Sequence, residues 1–198
     1  MSKRIIITIG REFGSEGHEI GRELADRLGI SLYDKDLLAI AAKKSGLPLE
    51  NLAEAEEKVA STFLMPYIGY GFDVGNTNDK LFLIESQIIR DIASTESCII
   101  IGRLADYVLR DDSDCLKVFI YAPLENRIEI VMKKHNISRD AAAKLVRKMD
   151  QARTSYYSYY TNHKWNQKEG KDIMLNRGKF GVTGCVDILE AVARARME

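Results

Sequence analysis

The chain has 198 residues, of which 45% are hydrophobic and 29% are charged, a composition typical of one soluble folded domain and unlike that of a disordered segment. Its 29 lysines and arginines are balanced by 29 aspartates and glutamates, which excludes a general electrostatic attraction to nucleic acid or to an acidic membrane. The three cysteines, Cys98, Cys115 and Cys185, are spaced too widely to indicate a disulfide framework or a cysteine-based zinc site.

The chain begins with a pattern that predicts a buried strand. Residues 5–9 (IIITI) are β-branched and end at Gly10, and apolar side chains without alternation are typical of a strand covered on both faces. No apolar run in the sequence is long enough for a membrane-spanning helix, and this one is too short for the core of a signal peptide. We therefore expect a cytoplasmic protein.

A glycine-rich loop and an amphipathic helix follow this strand. Isoleucine or leucine recurs at every fourth position from Ile20 to Leu28, and Gly29 follows, which predicts a helix that ends at the glycine. Residues 30–33 then predict a short strand that Asp34 closes.

The middle of the chain is less regular. Residues 37–44 and 50–64 have helical character, whereas residues 66–79 (PYIGYGFDVGNTND) contain three glycines, three aromatic residues and no helical period. Long loops in compact domains are often functional, so we expect residues 66–79 to form a loop that faces the substrate or closes over it.

The second half of the chain predicts a regular alternation of helices and strands. Strands are indicated at residues 98–101, 115–121 and 173–175, and helices at residues 80–94, at 124–135, after the N-cap Ser138, and at 182–195. Because strands and helices alternate along the chain, we predict an α/β fold with a mainly parallel sheet.

The loop at residues 10–17 lies between the first strand and the first helix, where backbone N–H groups and a helix N-terminus converge on an anion. The usual phosphate-binding loop reads GxxxxGK[ST], but here Glu12 takes the place of the first glycine and His18 that of the lysine. A dinucleotide-binding fingerprint needs glycines at offsets zero, two and five, whereas here they lie at offsets zero, four and seven. The loop therefore favours phosphate binding and argues against a Rossmann-type NAD(P) protein.

The loop sequence REFGSEGHEIG, at residues 11–21, resembles the cytidylate kinase-like branch of the P-loop nucleoside monophosphate kinases. The resemblance continues in order through LYDK at 32–35, IGR at 101–103, DQAR at 150–153, the tyrosines at 156–157, and LN at 175–176. It implies a P-loop NTPase-type three-layer α/β fold with a central five-stranded parallel sheet and a helical lid. It also implies a single domain over residues 1–198, in which 46–80 form a substrate-side insert and 124–166 a helical lid region.

The resemblance further implies an activity and its residues. The enzyme would use ATP and Mg²⁺ to move the γ-phosphate to a nucleoside monophosphate such as CMP or dCMP, or to another small acceptor. The acceptor would be held by Asp34, Arg103 and Asp150, and the catalytic cations would be Arg103, Arg147 and Arg153. No residue is assigned to a protein-bound metal. ATP would be held by residues of the loop and of the last strand: Arg11, Gly14, Ser15, Glu16, Gly17, His18, Glu19 and Asn176.

The residues assigned to the lid suit phosphoryl transfer, which requires positioning and charge neutralisation rather than a nucleophilic side chain. Each step of three residues along a helix rotates by about −60°, so Arg147, Asp150 and Arg153 spread over about 120° of one surface. In this interpretation Arg103 holds the acceptor phosphate, and the two lid arginines close over the γ-phosphate. The same lid residues also fit an exposed set of ion pairs on a solvated face.

Three departures from the resemblance leave alternatives open, one being that Leu104 and Lys35 stand where polar groups would read the cytosine edge. His18 replaces the lysine of the loop, whose charge Arg11 or His18 would supply in part, and Ile101 replaces an aspartate before Gly-Arg. A kinase for a different acceptor and a regulatory nucleotide-binding protein without catalysis therefore remain alternatives. We expect a small-molecule nucleotide as the partner, and neither nucleic acid nor a membrane; a homodimer is left open.

Overall fold

The computed structural model describes residues 3–34 and 74–198. The helices predicted at residues 37–44 and 50–64 lie outside the described residues, as do most of the predicted loop at 66–79 and most of the insert at 46–80.

A five-stranded parallel sheet forms the centre of the fold, as the sequence predicted. Its order is β2-β3-β1-β4-β5, and every neighbouring pair runs parallel. The strands are β1 (Ile6–Arg11), β2 (Ser31–Tyr33), β3 (Cys98–Ile101), β4 (Cys115–Tyr121) and β5 (Ile173–Asn176).

The helices that connect these strands mostly match the predicted ones. They are α1 (Gly17–Leu28), α2 (Val74–Thr95), α3 (Ala105–Val108), α4 (Leu124–His135), α5 (Arg139–Thr161) and α6 (Arg177–Met197). The backbone leaves the helical conformation inside α6 at Gly181, where φ is 70°, so the predicted helix at 182–195 is the second part of this element. No helix within the described residues is both long and apolar enough to cross a membrane.

One prediction about the middle of the chain is wrong in part. Helix α2 begins at Val74, so the last six residues of the predicted loop at 66–79 are helical. Glycine and asparagine in this stretch have low helix propensity, but propensity is a weak prior that the rest of a long helix overrides.

The sheet is covered on both faces, which explains the unbroken apolar run in β1. Ile5, Ile7 and Ile9 are buried on the face that α1 and α6 cover. Ile6 points to the other face and packs with residues of α2 and α3. Three layers of helix, sheet and helix result.

The three cysteines are unpaired and buried, as their spacing in the sequence suggested. Cys98 and Cys115 lie in β3 and β4, each aligned with Ile6 of β1. Burial raises the pKa of both thiols to about 12, so they stay protonated and unreactive in the folded protein.

Glu96 holds the edge strand β2 in place. Its carboxylate accepts a hydrogen bond from the Ser31 hydroxyl at 2.7 Å and one from the Tyr33 hydroxyl at 2.6 Å. These bonds, that from Tyr33 first, lower the pKa of Glu96 below its ordinary value. Because Asp34 directly follows β2, Glu96 also helps to fix the backbone position of Asp34, a predicted site residue.

We predict that Glu96→Gln destabilises the protein at neutral pH by about 1 kcal/mol, since the amide replaces a charged acceptor. A carboxylate with a lowered pKa stabilises the fold above its ordinary value of 4.5, and this contribution is lost as the pH falls through the folded-state pKa. The difference between variant and wild type should therefore shrink in acid, as measured by urea unfolding across pH. Glu125→Gln, at an exposed ion pair with Arg139, is the control and should show no such trend.

Candidate functional site

Predicted functional residues from four segments meet at one edge of the sheet. Because all the strands are parallel, their carboxyl ends share this edge, which is where α/β sheets bind ligands. The residues that end or follow β1, β2, β3 and β5 there are Arg11, Asp34, Arg103 and Asn176.

The loop between β1 and α1 presents free backbone donors. Gly14 and Glu16 have φ angles of 80° and 57°, and α1 begins directly after them. Among the described residues, the N–H groups of Gly14, Glu16, Gly17 and His18 have no acceptor. Successive free N–H groups at a helix N-terminus form a cradle for an anion.

Three arginines surround a cavity of about 70 Å³ next to this loop: Arg11, Arg103 and Arg153. Arg153 donates from Nη1 to the Arg11 carbonyl at 2.8 Å and lies over the Phe13 ring. Burial, followed by the charge of Arg153, lowers the pKa of Arg11 to about 9, although Asp34 opposes the shift. Burial likewise lowers the pKa of Arg153. Burial thus disfavours the charged form of both groups, and an anion bound beside them would stabilise it.

Asp34 faces the two residues expected to replace the missing lysine. Its carboxylate lies 3.7 Å from Arg11 Nη2 and 3.5 Å from His18 Nε2. The His18 side chain is half exposed, whereas Arg11 is mostly covered. The structure therefore brings all three together beside the loop; which of them compensates for the lysine stays a prediction.

Two glycines make room for the Arg11 side chain. A Cβ atom at Gly17 would lie 2.6 Å from Arg11 Cβ, and one at Gly102 would lie 2.1 Å from Arg11 Nη1. Gly102 also begins a turn in which Arg103 and Leu104 both have positive φ angles, of 55° and 52°. This conformation costs about 1–2 kcal/mol for each residue with a side chain, so the turn that carries Arg103 is held by its surroundings.

Asp150 contacts the phosphate loop rather than pointing freely toward an acceptor. Its Oδ1 accepts a hydrogen bond from Phe13 N–H at 2.8 Å, and its Oδ2 pairs with Arg127. Together with Arg153, it docks α5 against the loop. Its predicted role in binding the acceptor stays a prediction.

Arg127 was missed by the sequence analysis, although it lies at the centre of these contacts. The buried guanidinium donates to the carbonyls of Ala122 and Phe13 at 3.0 and 3.2 Å, and it pairs with Glu12 at 3.2 Å as well as with Asp150. Burial raises the pKa of Glu12, although the Ala122 N–H and Arg127 act in the opposite direction. The sequence contained one signal that Arg127 is buried, because residue 127 falls on the apolar face of its helix, beside the buried Ile128 and Val131.

Three other predicted loop residues are engaged within the protein. The Ser15 hydroxyl is buried and donates to the Glu12 carbonyl at 2.9 Å. Glu16 pairs with Arg177, which begins α6. Glu19 pairs with Lys134 at 2.7 Å. These contacts fix the conformation of the loop. The groups that the loop presents to a ligand are therefore mainly its backbone N–H groups.

Two predicted residues differ in how the structure presents them. Arg147 is exposed and makes no hydrogen bond or ion pair within residues 3–34 and 74–198, so its part in a closing lid stays a prediction. Asn176 has a buried side-chain oxygen without a hydrogen-bond partner in the described part of the chain. A buried unpaired acceptor is costly unless a ligand donates to it.

In the part of the chain that the structure describes, no group of three metal-ligating side chains occurs. The carboxylate of Asp34 beside the loop is a donor suited to Mg²⁺, which commonly takes one or two protein carboxylates and completes its shell with phosphate oxygens and water. The residues present therefore fit an ion that arrives with a nucleotide.

Comparison with known proteins gives matches over nearly the whole chain. The family model described as the cytidylate kinase-like family matches residues 6–179. A protein named cytidylate kinase from Methanothrix thermoacetophila is 28% identical over 96% of this chain and 99% of its own. Another of that name, from Pyrococcus horikoshii, is 25% identical over 95% of this chain and 88% of its own.

Solved structures show the same fold. An uncharacterized protein from Eubacterium ventriosum superposes with a TM-score of 0.76 at 27% identity, over 98% of this chain and 100% of its own. A shikimate kinase from Acinetobacter baumannii, solved with shikimate, gives a TM-score of 0.55 at 13% identity, over 100% of this chain and 97% of its own. The second likeness supports the fold alone.

We predict that Gly102→Ala weakens nucleotide binding by about tenfold or more, because the new methyl group displaces the Arg11 guanidinium. Gly29→Ala is the matched control, since Gly29 has a similar φ of 65° but no atom within 4 Å of the added Cβ. Both variants should lose about 1 kcal/mol of stability to backbone strain. Calorimetric titration with ATP and Mg²⁺ tests this, and equal affinities in the two variants would contradict it.

We also predict that Arg127→Met lowers the free energy of unfolding by about 3 kcal/mol at neutral pH, because it removes the buried cation between the half-buried carboxylates of Glu12 and Asp150. The loss should shrink as the pH falls, since burial raises the pKa of Glu12 and favours its protonated form in the folded variant. Urea unfolding across pH measures this. Arg139→Met, which breaks an exposed pair with Glu125, should cost less than about 1 kcal/mol; a similar loss in both variants would contradict the prediction.

Proposed function

This chain belongs to the cytidylate kinase-like family, and from that premise we propose that it transfers the γ-phosphate of ATP to a nucleoside monophosphate such as CMP or dCMP. The observation that supports this most is the cluster of three half-buried arginines around one cavity, beside a loop with free N–H groups. Two phosphate groups are brought together in such a reaction, and their negative charge matches this positive cluster. The relatives named cytidylate kinase favour a nucleotide over another small acceptor.

On the donor side, the backbone of residues 14–18 holds the β-phosphate of ATP. Arg11 and His18, both facing Asp34, supply the charge that a lysine provides in the usual loop. Asn176, at the end of β5, accepts a hydrogen bond from the nucleoside part through its unpaired oxygen. Asp34 would hold Mg²⁺ beside the loop, where the ion would supply further positive charge for the phosphates.

On the acceptor side, Arg103 binds the phosphate of the monophosphate. Its guanidinium is positioned by Glu85, which is buried and lies 3.1 Å away. Arg153 lies between the two phosphates and stabilises the charge of the transferring group. Arg147 joins it from the exposed face of α5 when the lid closes.

We place the reaction in the cytoplasm, with a small-molecule nucleotide as the partner. The three unpaired, buried cysteines are consistent with a reducing compartment.

A regulatory protein that binds nucleotides without catalysis is the second candidate. It is favoured by His18, which stands where the usual loop has the lysine that reaches the β- and γ-phosphates. Binding without turnover would identify it.

The experiment is a thermal-shift screen with ATP and Mg²⁺, repeated with each nucleoside monophosphate, followed by an assay of ADP formation with those that stabilise the protein.

We predict that Arg103→Ala and Arg153→Ala each lower kcat/KM by about a hundredfold or more. Melting temperatures without ligand are measured alongside, because Arg103→Ala removes a charged partner of the buried Glu85 carboxylate and is expected to lower the melting temperature, whereas Arg153→Ala also relieves repulsion between cations.

Arg22→Ala, on the exposed face of α1, is the control and should keep wild-type rates. Wild-type turnover in both cluster variants would exclude the assigned roles. Stabilisation by ATP without any ADP formation would favour the regulatory protein.

A further inference from the structure

A second buried charge network lies behind the arginine cluster. Lys171 Nζ pairs with the Asp106 carboxylate and donates to the Tyr157 hydroxyl at 3.1 Å, and that hydroxyl donates to Asp106 at 3.1 Å. The Lys171 side chain is only 1% exposed. Its ammonium also lies 4.7 Å from the centre of the Tyr157 ring. Each of the three groups therefore contacts the other two, and neither charge is left without a partner.

The network joins three elements that are distant in sequence. Asp106 lies in α3, which directly follows the turn carrying Arg103; Tyr157 lies near the end of α5; and Lys171 precedes β5. The backbone next to Lys171 is fixed to the sheet, because Asp172 N–H donates to the Lys117 carbonyl at 2.8 Å and Lys117 N–H donates to the Asp172 carboxylate at 2.7 Å. The Lys171 side chain thus extends from backbone that is fixed to the sheet.

Asp106 and Tyr157 form a wall shared by two cavities. On one side is the cavity of about 70 Å³ that the arginines line. On the other is a cavity of about 250 Å³ that Lys171 lines. The network therefore borders the candidate active site without exposing Lys171 to it.

The turn at residues 102–104 needs such support. Arg103 and Leu104 adopt left-handed conformations that side chains disfavour. The turn is closed by the Ala105 N–H, which donates to the Gly102 carbonyl at 3.0 Å. Leu104 is buried in the same cluster as Tyr157. A short element with strained residues keeps its shape only when its neighbours fix it.

We infer that Lys171 is a positioning residue, which acts through Asp106 and Tyr157 to hold the turn that aims Arg103 at the acceptor phosphate. The inference rests on the proposed function, because it assigns Lys171 a role in the binding of that acceptor. A buried ion pair is weak evidence for stability, since its desolvation offsets its attraction. We assign the pair a positioning role instead, because it fixes α3 against the sheet and against α5.

The test measures the affinity for CMP and for ATP separately, by calorimetry, in Lys171→Met and in Tyr157→Phe. Both variants should bind CMP about tenfold or more weakly, because a displaced Arg103 loses contact with the phosphate. Both should bind ATP within about twofold of the wild type, since residues 14–18 make no hydrogen bond or ion pair with the network in the described part of the chain. Lys164→Met, an exposed lysine in the same segment, is the matched control and should change neither affinity.

A double-mutant cycle shows whether the effect passes through Arg103. In an Arg103→Ala background, Lys171→Met should cause no further loss of CMP affinity, because the group that it positions is already gone. If Lys171→Met does not fold, Tyr157→Phe keeps both charges and Asp106→Asn with Lys171→Met removes both, so that no buried charge is left unpaired.

The outcomes separate the inference from the proposed function. Equal weakening of CMP and ATP, or additive losses with Arg103→Ala, would overturn the role of Lys171 while leaving the proposed kinase intact. If wild-type protein binds neither CMP nor any other nucleoside monophosphate, the proposed function fails and the inference fails with it.

Discussion

The mutual repulsion of three guanidinium groups is the constraint on which the rest of this site depends. Arg11, Arg103 and Arg153 surround one small cavity, where burial strengthens the interaction between charges. Oxygen atoms on separate elements hold them there, namely the carboxylates of Asp34 and Glu85 and a backbone carbonyl. These contacts fix the geometry of three cations that an anion complements.

The phosphate loop and the helix α5 are structurally linked. Asp150 accepts from the Phe13 N–H, Arg127 donates to the Phe13 carbonyl, and the two side chains pair with each other. The backbone N–H and C=O of one loop residue are thus both bound by neighbouring helices. A movement of α5 would break these bonds, so the conformation of the loop is coupled to the position of α5.

The sequence predicted the architecture because the fold follows from local patterns. Unbroken β-branched runs and four-residue apolar spacing locate the strands and most helices. A glycine-rich loop between a strand and a helix indicates a phosphate-binding site. The stretch at 74–79 was misread because its local propensity opposes the helix it joins. Arg127, Asp106 and Lys171 were missed for a different reason: their partners lie up to 115 residues away, as between Glu12 and Arg127, and only the fold brings them together.

The buried thiols provide an internal reporter of opening. Cys98 and Cys115 flank the central strand, while Cys185 belongs to the layer that α6 covers. An alkylating reagent reaches these sulfur atoms only when the sheet separates from its helices, because a protonated, buried thiol does not react. A rearrangement confined to α5 and the phosphate loop leaves all three sulfurs covered. Labelling kinetics in the native protein therefore distinguish domain opening from motion of the lid, without the introduction of any probe.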